Sequence, residues 1–327
     1  MIPSLDDLLA TARVVALPLH QRFRGIEVRE ALVLEGPHGW TEFSPFVEYD
    51  DAEAGAWLSA AIDFGWNPTP PLARTRVLVN ATLPAVGPEL VAPTLDRFPG
   101  CRTVKIKVAE RGQQLADDVA RVRAARAYLG ASGRIRVDAN GGWNVDEAEH
   151  AIRTLAEFDL EYAEQPCASV DELAALRERI GWLGVPIAAD ESVRKASDPL
   201  AVARAGAADL LVIKAQPLGG VTSALAIVRE AGLPVIVSSA LDTSIGIAMG
   251  LHLAGAIETL EFDCGLATAA LLVADVTDDP LVPVDGGIDV RRVVATSALL
   301  DEHAAPTDRT EWWLDRLART YRLITAD

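Results

Sequence analysis

The chain has 327 residues, 50% hydrophobic and 24% charged, the make-up of a globular protein with one large or two ordinary domains. Its formal net charge of −17 argues against nucleic acid or an anionic membrane as partner, since both call for a basic surface. An anionic small molecule would have to be held by local cations or a metal, not by the overall field. Cys101, Cys167 and Cys264 show no metal-site or redox spacing. No apolar run reaches transmembrane length, and Asp6 and Asp7 stand where a signal peptide needs positive charge. A cytoplasmic location is expected.

In chain order, residues 1–74 form a small α+β unit. "IEVREALVLEG" is a strand pattern closed by the turn Gly36 to Gly39, and "WTEFSPFVEY" follows. A helix starts at about residue 50, with Asp50 or Asp51 as its N-cap. "GWNPTPP" breaks the chain. Residues 75–286 then repeat a short β-branched strand followed by an Ala/Leu/Arg-rich helix. The strands read at 76–80, 103–108, 134–138, 161–164, 186–190, 210–214, 235–239 and 260–263. Eight such units imply a parallel barrel rather than an open sheet, because no Gly-rich dinucleotide fingerprint follows the first strand. In the tail, 287–327, the helical stretch "RTEWWLDRLARTY" needs a surface on which to bury Trp312, Trp313, Leu314 and Leu317. The head unit is the expected surface.

"TVKIKV" poses a question of its own. Side chains alternate along a strand, so Lys105 and Lys107 share one face. In a barrel, catalytic groups come from the C-terminal ends of strands. Those ends carry Lys107, Asp138, Glu164, Asp190 and Lys214, the last four spaced 26, 26 and 24 residues apart. Three carboxylates brought together repel one another and need neutralising. A hard divalent cation with oxygen ligands, Mg²⁺, does this. The competing reading is an interior salt-bridge network of the three acids with Lys105 and Arg136. The regular placement of the acids, flanked by two lysines, favours the metal.

The ordered set "KIK", "VDAN", "EQP", "ADES" and "IK" resembles the enolase superfamily, in its muconate-lactonizing-enzyme subgroup. The resemblance spans essentially the whole chain. It implies a modified TIM barrel, (β/α)7β, with a capping domain formed by the N-terminal segment and the returning tail. Through "FRGIEVREALVLEG", "IKAQPLGGV", "SSALDTSIGIA" and "CGLATAALLVADV", the chain is most similar to the o-succinylbenzoate synthase family of menaquinone biosynthesis. One departure is Thr41 in "GWTE", where many relatives have Gly.

The resemblance implies a Mg²⁺-dependent syn dehydration of 2-succinyl-6-hydroxy-2,4-cyclohexadiene-1-carboxylate. Asp138, Glu164 and Asp190 would be the metal ligands and Lys107 the base. Lys214 would be the fixed cation across the substrate. Lys105 would tune Lys107, and either contact the substrate carboxylate or form a salt bridge inside the barrel. Ser239 would bind substrate, Ser238 being the weaker candidate. Asn140 and Glu191 would support the ligands, Glu191 pointing away by strand alternation. Arg22, Phe23, Arg24, Phe46 and Tyr49 lie in covering segments that could choose the substrate. The partner expected is a small-molecule carboxylate, and the expected state is a monomer.

Three other readings remain. One is an N-succinylamino acid racemase or dipeptide epimerase using the same site. Against the epimerase, the eighth strand carries only Asp263, where such enzymes tend to carry Asp-x-Asp. Another is a Schiff-base lysine in an aldolase-like barrel. The last is a non-catalytic, metabolite-binding barrel.

Overall fold

The computed structural model describes residues 2–194 and 198–326. The head begins with α1 (Leu5–Thr11), whose N-cap Ser4 and Asp7 form a capping box. Strands β1 (Arg13–Phe23), β2 (Ile26–Gly36) and β3 (Gly39–Phe43) make an antiparallel meander. Phe23 pairs with Ile26, so Arg24 and Gly25 alone make the first turn, with φ of 49° and 80°. Both are left-handed, as a two-residue hairpin of matching twist requires. Helix α2 (Asp51–Trp66) starts on the N-cap Asp50 and passes very close to the second turn. A Cβ added to Gly36 would lie 2.3 Å from the Gly65 carbonyl oxygen.

The barrel strands are β5 (Ala81–Leu83), β6 (Thr103–Lys107), β7 (Arg134–Asp138), β8 (Leu160–Glu164), β9 (Ile187–Ala189), β10 (Leu210–Ile213) and β11 (Val235–Val237). They pair in that order as one parallel sheet. Residues 264 and 265 close the ring. Cys264 bridges Val79, and Gly265 bridges Ser238. The crossovers include α3 (Val91–Leu95), α4 (Leu115–Leu129), α5 (Val145–Leu155), α6 (Val170–Ile180), α7 (Glu191–Arg194), α8 (Ala201–Arg204), α9 (Val221–Ala231) and α10 (Ser244–Ala256). The architecture is the capped (β/α)7β barrel.

Two strands differ from the sequence reading. The first splits in two. Its start, β4 (Arg76–Leu78), pairs antiparallel with β12 (Gly287–Asp289) beneath the barrel, and only 79–83 join the ring. The eighth is two bridges at 264 and 265 rather than a strand at 260–263. Both stretches have β-rich composition, which cannot say which residue first meets a partner.

Inside the barrel, Tyr162, Ala188, Leu210, Val212 and Ile236 pack with Phe262 into an apolar plug. Arg136 stacks on Tyr162, 4.8 Å from its centroid, and ion-pairs with Glu161. The plug makes a dry floor, and polar side chains higher on the same faces stand above it.

After α11 (Ser297–Glu302), α12 (Thr307–Thr325) crosses back over the head. The Trp313 indole N–H donates to Glu30 at 2.8 Å, and its ring meets Phe43 edge-on at 6.0 Å. Arg316, 1% exposed, donates to the carbonyls of Pro45, Phe46 and Tyr49. The tail helix thereby fixes the segment that carries Phe46 and Tyr49.

Candidate active site

The strand pairing builds the site. Lys107 lies opposite Asp138, and Asp138 opposite Glu164. Glu164 lies opposite Ala188, and Ala188 opposite Leu210. Asp190 is two residues beyond Ala188, and Lys214 four beyond Leu210, so both keep the inward parity. Lys107, Asp138 and Glu164 are therefore in register, and Asp190 and Lys214 stand two and four residues further along, as the stagger of a closed barrel demands.

Each acid meets an ammonium group. Lys105 Nζ lies 2.7 Å from Glu164 and 3.3 Å from Asp138. Lys107 Nζ lies 2.5 Å from Asp138 and 2.6 Å from Asn140 Oδ1. Lys214 Nζ lies 2.6 Å from Asp190. Arg136 is not part of this group, since its guanidinium goes to Glu161, Asn80 and the Asp263 carbonyl.

These charges set one another's protonation. Burial would raise Asp138, but Lys107 and Lys105 outweigh it and hold its carboxyl well below the usual range. Burial is likewise outweighed at Asp190, by Lys214 and Arg194. Glu164 is pushed up to about 7 by burial and by Asp138. Burial lowers Lys107, and repulsion from Lys105 adds to it against the pull of Asp138. Burial also works against a charged Lys105, but Glu164 and Asp138 overcome it and raise its proton affinity. The two neighbouring lysines are thus driven in opposite directions.

The donor set suits a hard divalent cation, being three buried carboxylates on successive strands. Glu164 Oε2 is buried with no hydrogen-bond partner, a lone pair available to an incoming ion. Among the described residues, no three acidic, imidazole or thiol groups stand together as a ready-made metal cage. Here the lysines serve as the counterions.

Around these groups the backbone is bent unusually. Ala109, Asn140, Gln165 and Leu241, which follow β6, β7, β8 and β11, have φ of 58°, 47°, 35° and 63°. Asparagine tolerates this conformation, whereas the others store strain at the mouth of the barrel. Gln165 shows what holds it in place. Its amide oxygen accepts from the backbone N–H groups of Asp190 and Ser192, and its nitrogen donates to Cys167 O and Ser192 Oγ.

The structure brings Lys105, Lys107, Lys214, Asn140 and Ser239 to one pocket, over which the head contributes Phe23, Arg24, Phe46 and Tyr49. Arg22 lines a neighbouring outer cavity instead. Ser239 Oγ bonds the Gly265 carbonyl and Thr268 Oγ1, each at 2.7 Å. Glu191 is not governed by strand alternation, because β9 ends at Ala189 and Glu191 opens α7. It accepts from Arg194 at 2.6 Å and from Asn140 at 3.1 Å.

Three features escaped the sequence reading. Arg194, 8% exposed, joins Asp190, Glu191 and the Tyr49 hydroxyl. Its position four residues after Asp190, on one helical face, was the available signal. Gln165 stands inside "EQP" but gives no sign of its role. The third is a clasp between head and barrel. Glu42, fully buried, accepts from Thr243 N, Thr243 Oγ1 and Gly246 N at the start of α10. Beside it, Arg29 donates to the Leu241 carbonyl at 3.0 Å.

A capped parallel barrel with buried acids and lysines at its strand ends defines an enzyme-type architecture. Residues 94–295 match the family described as enolase C-terminal domain-like, and residues 14–65 the one described as enolase N-terminal domain-like. The chain belongs to the enolase superfamily. A relative from Mycolicibacterium smegmatis, named o-succinylbenzoate synthase, is 54% identical over 324 residues, covering 99% of each chain. One of the same name from Mycobacterium marinum is 53% identical over 328 residues, covering 99% of this chain and 98% of the relative. In fold, the chain is similar to muconate lactonizing enzyme from Pseudomonas putida (TM-score 0.74, 18% identity, 90% and 98% of the two chains covered). It is also similar to the L-Ala-D/L-Glu epimerase from Bacillus subtilis (TM-score 0.73, 23% identity, 87% and 96% covered).

Proposed function

We propose that the protein catalyses o-succinylbenzoate synthesis, the Mg²⁺-dependent syn dehydration of 2-succinyl-6-hydroxy-2,4-cyclohexadiene-1-carboxylate, as a step of menaquinone biosynthesis. The observation that carries this reading is the end-to-end identity of more than half to synthases of that name. It is supported by three lysines meeting three carboxylates at the strand ends.

Asp138, Glu164 and Asp190 would hold the ion. When bound, Mg²⁺ acts as a Lewis acid on the substrate carboxylate, acidifying the neighbouring C–H bond. The rest falls to this chain's side chains. Lys107, its proton affinity lowered by burial and by Lys105, removes the α-proton in its neutral form. Keeping that proton on the same face, it delivers it to the departing hydroxyl, so the C–O bond breaks and water leaves. Lys214, on the far side of the site, holds positive charge over the planar ring while electrons move. Lys105 stays charged and repels a proton on Lys107. Asn140, bonded to Lys107 and to Glu191, orients the base, and Ser239 offers its hydroxyl to the substrate.

In this reading residues 1–74 and 287–327 form the cap and 75–286 the barrel. The protein works as a cytoplasmic monomer on a small carboxylate. The dipeptide-epimerase alternative has less support. Asp263, the single aspartate of that stretch, is engaged with Thr103 Oγ1 and Arg134 at 2.5 Å each.

The test follows loss of the cyclohexadiene chromophore with purified protein and Mg²⁺, beside EDTA-treated protein and Lys107→Ala. Turnover abolished in both controls is expected. An intact, metal-loaded protein without turnover would overturn the reading and direct attention to α-proton exchange of N-succinylamino acids in D₂O.

A further inference from the structure

Among the described residues, the cations lining the pocket are Arg24, Lys105, Lys107, Arg194 and Lys214. Four of them are matched to carboxylates at its floor. The three lysines lie within 2.7 Å of Glu164, Asp138 and Asp190, and Arg194 lies 2.6 Å from Glu191. Arg24 differs. The one carboxylate in ion-pair range of it, Glu48, is 3.9 Å away with its side chain 56% exposed. Its other polar contact, the Tyr49 hydroxyl, is at 3.4–3.5 Å, beyond the usual N–H···O distance.

Weakly matched as it is, Arg24 is held in place. It sits in the two-residue turn, with its guanidinium 4.1 Å from the centroid of the Phe46 ring. Arg29 lies 4.5 Å from the same centroid and is tied to Ser44 and Leu241. A planar, stacked, permanently charged fork suits a carboxylate and loses little freedom on binding it.

On the synthase reading, which this inference presupposes, the substrate carries two carboxylates. The ring carboxylate belongs at the floor with the acids and their ion. The second, at the end of a flexible arm, needs a cation elsewhere in the pocket. We infer that Arg24, on the hairpin of the cap, is a substrate-binding residue that receives the carboxylate of the succinyl arm. Arg24 also faces the outer cavity, which Arg22 and Arg111 line. A dianion approaching a chain of net charge −17 thus meets local positive charge on its way in.

The test is calorimetric titration of the full-length, Mg²⁺-loaded protein with 2-succinylbenzoate and with 2-butyrylbenzoate, which replaces the arm carboxylate by methyl. The wild type should prefer the dicarboxylate by about 10- to 100-fold, the range for a charged hydrogen bond. Arg24→Gln should bind both alike, raising KM by a similar factor with kcat nearly unchanged. Arg24→Lys should recover part of the preference. Gln accepts the same turn conformation as Arg, and equal melting temperatures check that folding is intact. An Arg24→Gln protein that keeps the wild-type preference overturns the inference, as does a wild type with no preference. Loss of the synthase reading shows separately, as absence of wild-type turnover, and takes the inference with it.

Discussion

Replacing Lys105 by Met tests whether the acids are a cation site or an inert salt-bridge network. Lys105 is 7% exposed, and its ammonium serves two carboxylates, Glu164 at 2.7 Å and Asp138 at 3.3 Å. Methionine keeps the bulk and removes the charge. Breaking a buried pair by removing one partner costs about 3–5 kcal/mol, because the other charge is left uncompensated. The entropy of unfolding scales at roughly 2 cal/mol/K per residue, so about 0.7 kcal/mol/K for this chain. The melting temperature in EDTA at pH 8 should therefore fall by about 4–7 °C. Added Mg²⁺ should then restore most of that loss, since the freed oxygens bind the ion, and should raise Lys105→Met more than wild type. Differential scanning fluorimetry at matched ionic strength reads both effects. An unchanged melting temperature in EDTA would refute the counterion role of Lys105. A fall that Mg²⁺ leaves untouched would refute the cation site.

Lys107→Ala should lower kcat by about 10³-fold or more, because one group serves as base and then acid, while 2-succinylbenzoate binding changes little. Equal loss in kcat and in product affinity would show a binding role instead. Glu42 is pushed up from its ordinary 4.5 to about 7 by burial and by Asp242, against Arg29 and its hydrogen bonds. Over that window the folded state keeps a proton that the unfolded chain releases, so this group's contribution to stability declines as pH rises from 4.5 to about 7 and then levels. Glu42→Gln should gain relative to wild type over this range in denaturant midpoints, and parallel curves would refute the assignment. Gly36→Ala should lower the melting temperature by about 1–4 °C without changing the turnover of folded protein, since its Cβ would strike the Gly65 backbone. An unchanged melt would show that the hairpin and α2 can separate at little cost.

The acids and lysines were legible because a parallel barrel turns sequence spacing into geometry. One strand–helix unit is about 25 residues, and strand parity decides which side faces in. Asp138 and Glu164 then fall opposite each other without any knowledge of the helices. Spacing says nothing of the step from Glu164 to Asp190, which depends on shear, nor of where β9 gives way to α7. Contacts such as Arg29 with Leu241, 212 residues apart, leave no periodic trace. One signal was present and went unread. Only four of the thirty basic residues are lysine, and three of these stand in the site. Arginine cannot give up its proton near neutral pH and lysine can, so a chain that otherwise uses arginine marks these positions.

The charges at the floor also constrain how ligands bind. Lys105, Lys107 and Lys214 pair with Asp138, Glu164 and Asp190, so with all six groups ionised the cluster sums to zero. A dication alone adds two positive charges to a buried space, and the ring carboxylate alone adds a negative one. Either is opposed by the low dielectric around the plug, whereas each offsets the other when both are bound. Mg²⁺ and 2-succinylbenzoate should therefore bind cooperatively, each improving the other by the same factor, in the range of about 5- to 150-fold. Titrating each ligand in the presence and absence of the other measures the factor twice. A value of one in both directions would mean that the lysines, not the ion, remain the partners of the acids while ligand is bound, and the division of roles between Lys107 and the metal would have to be abandoned.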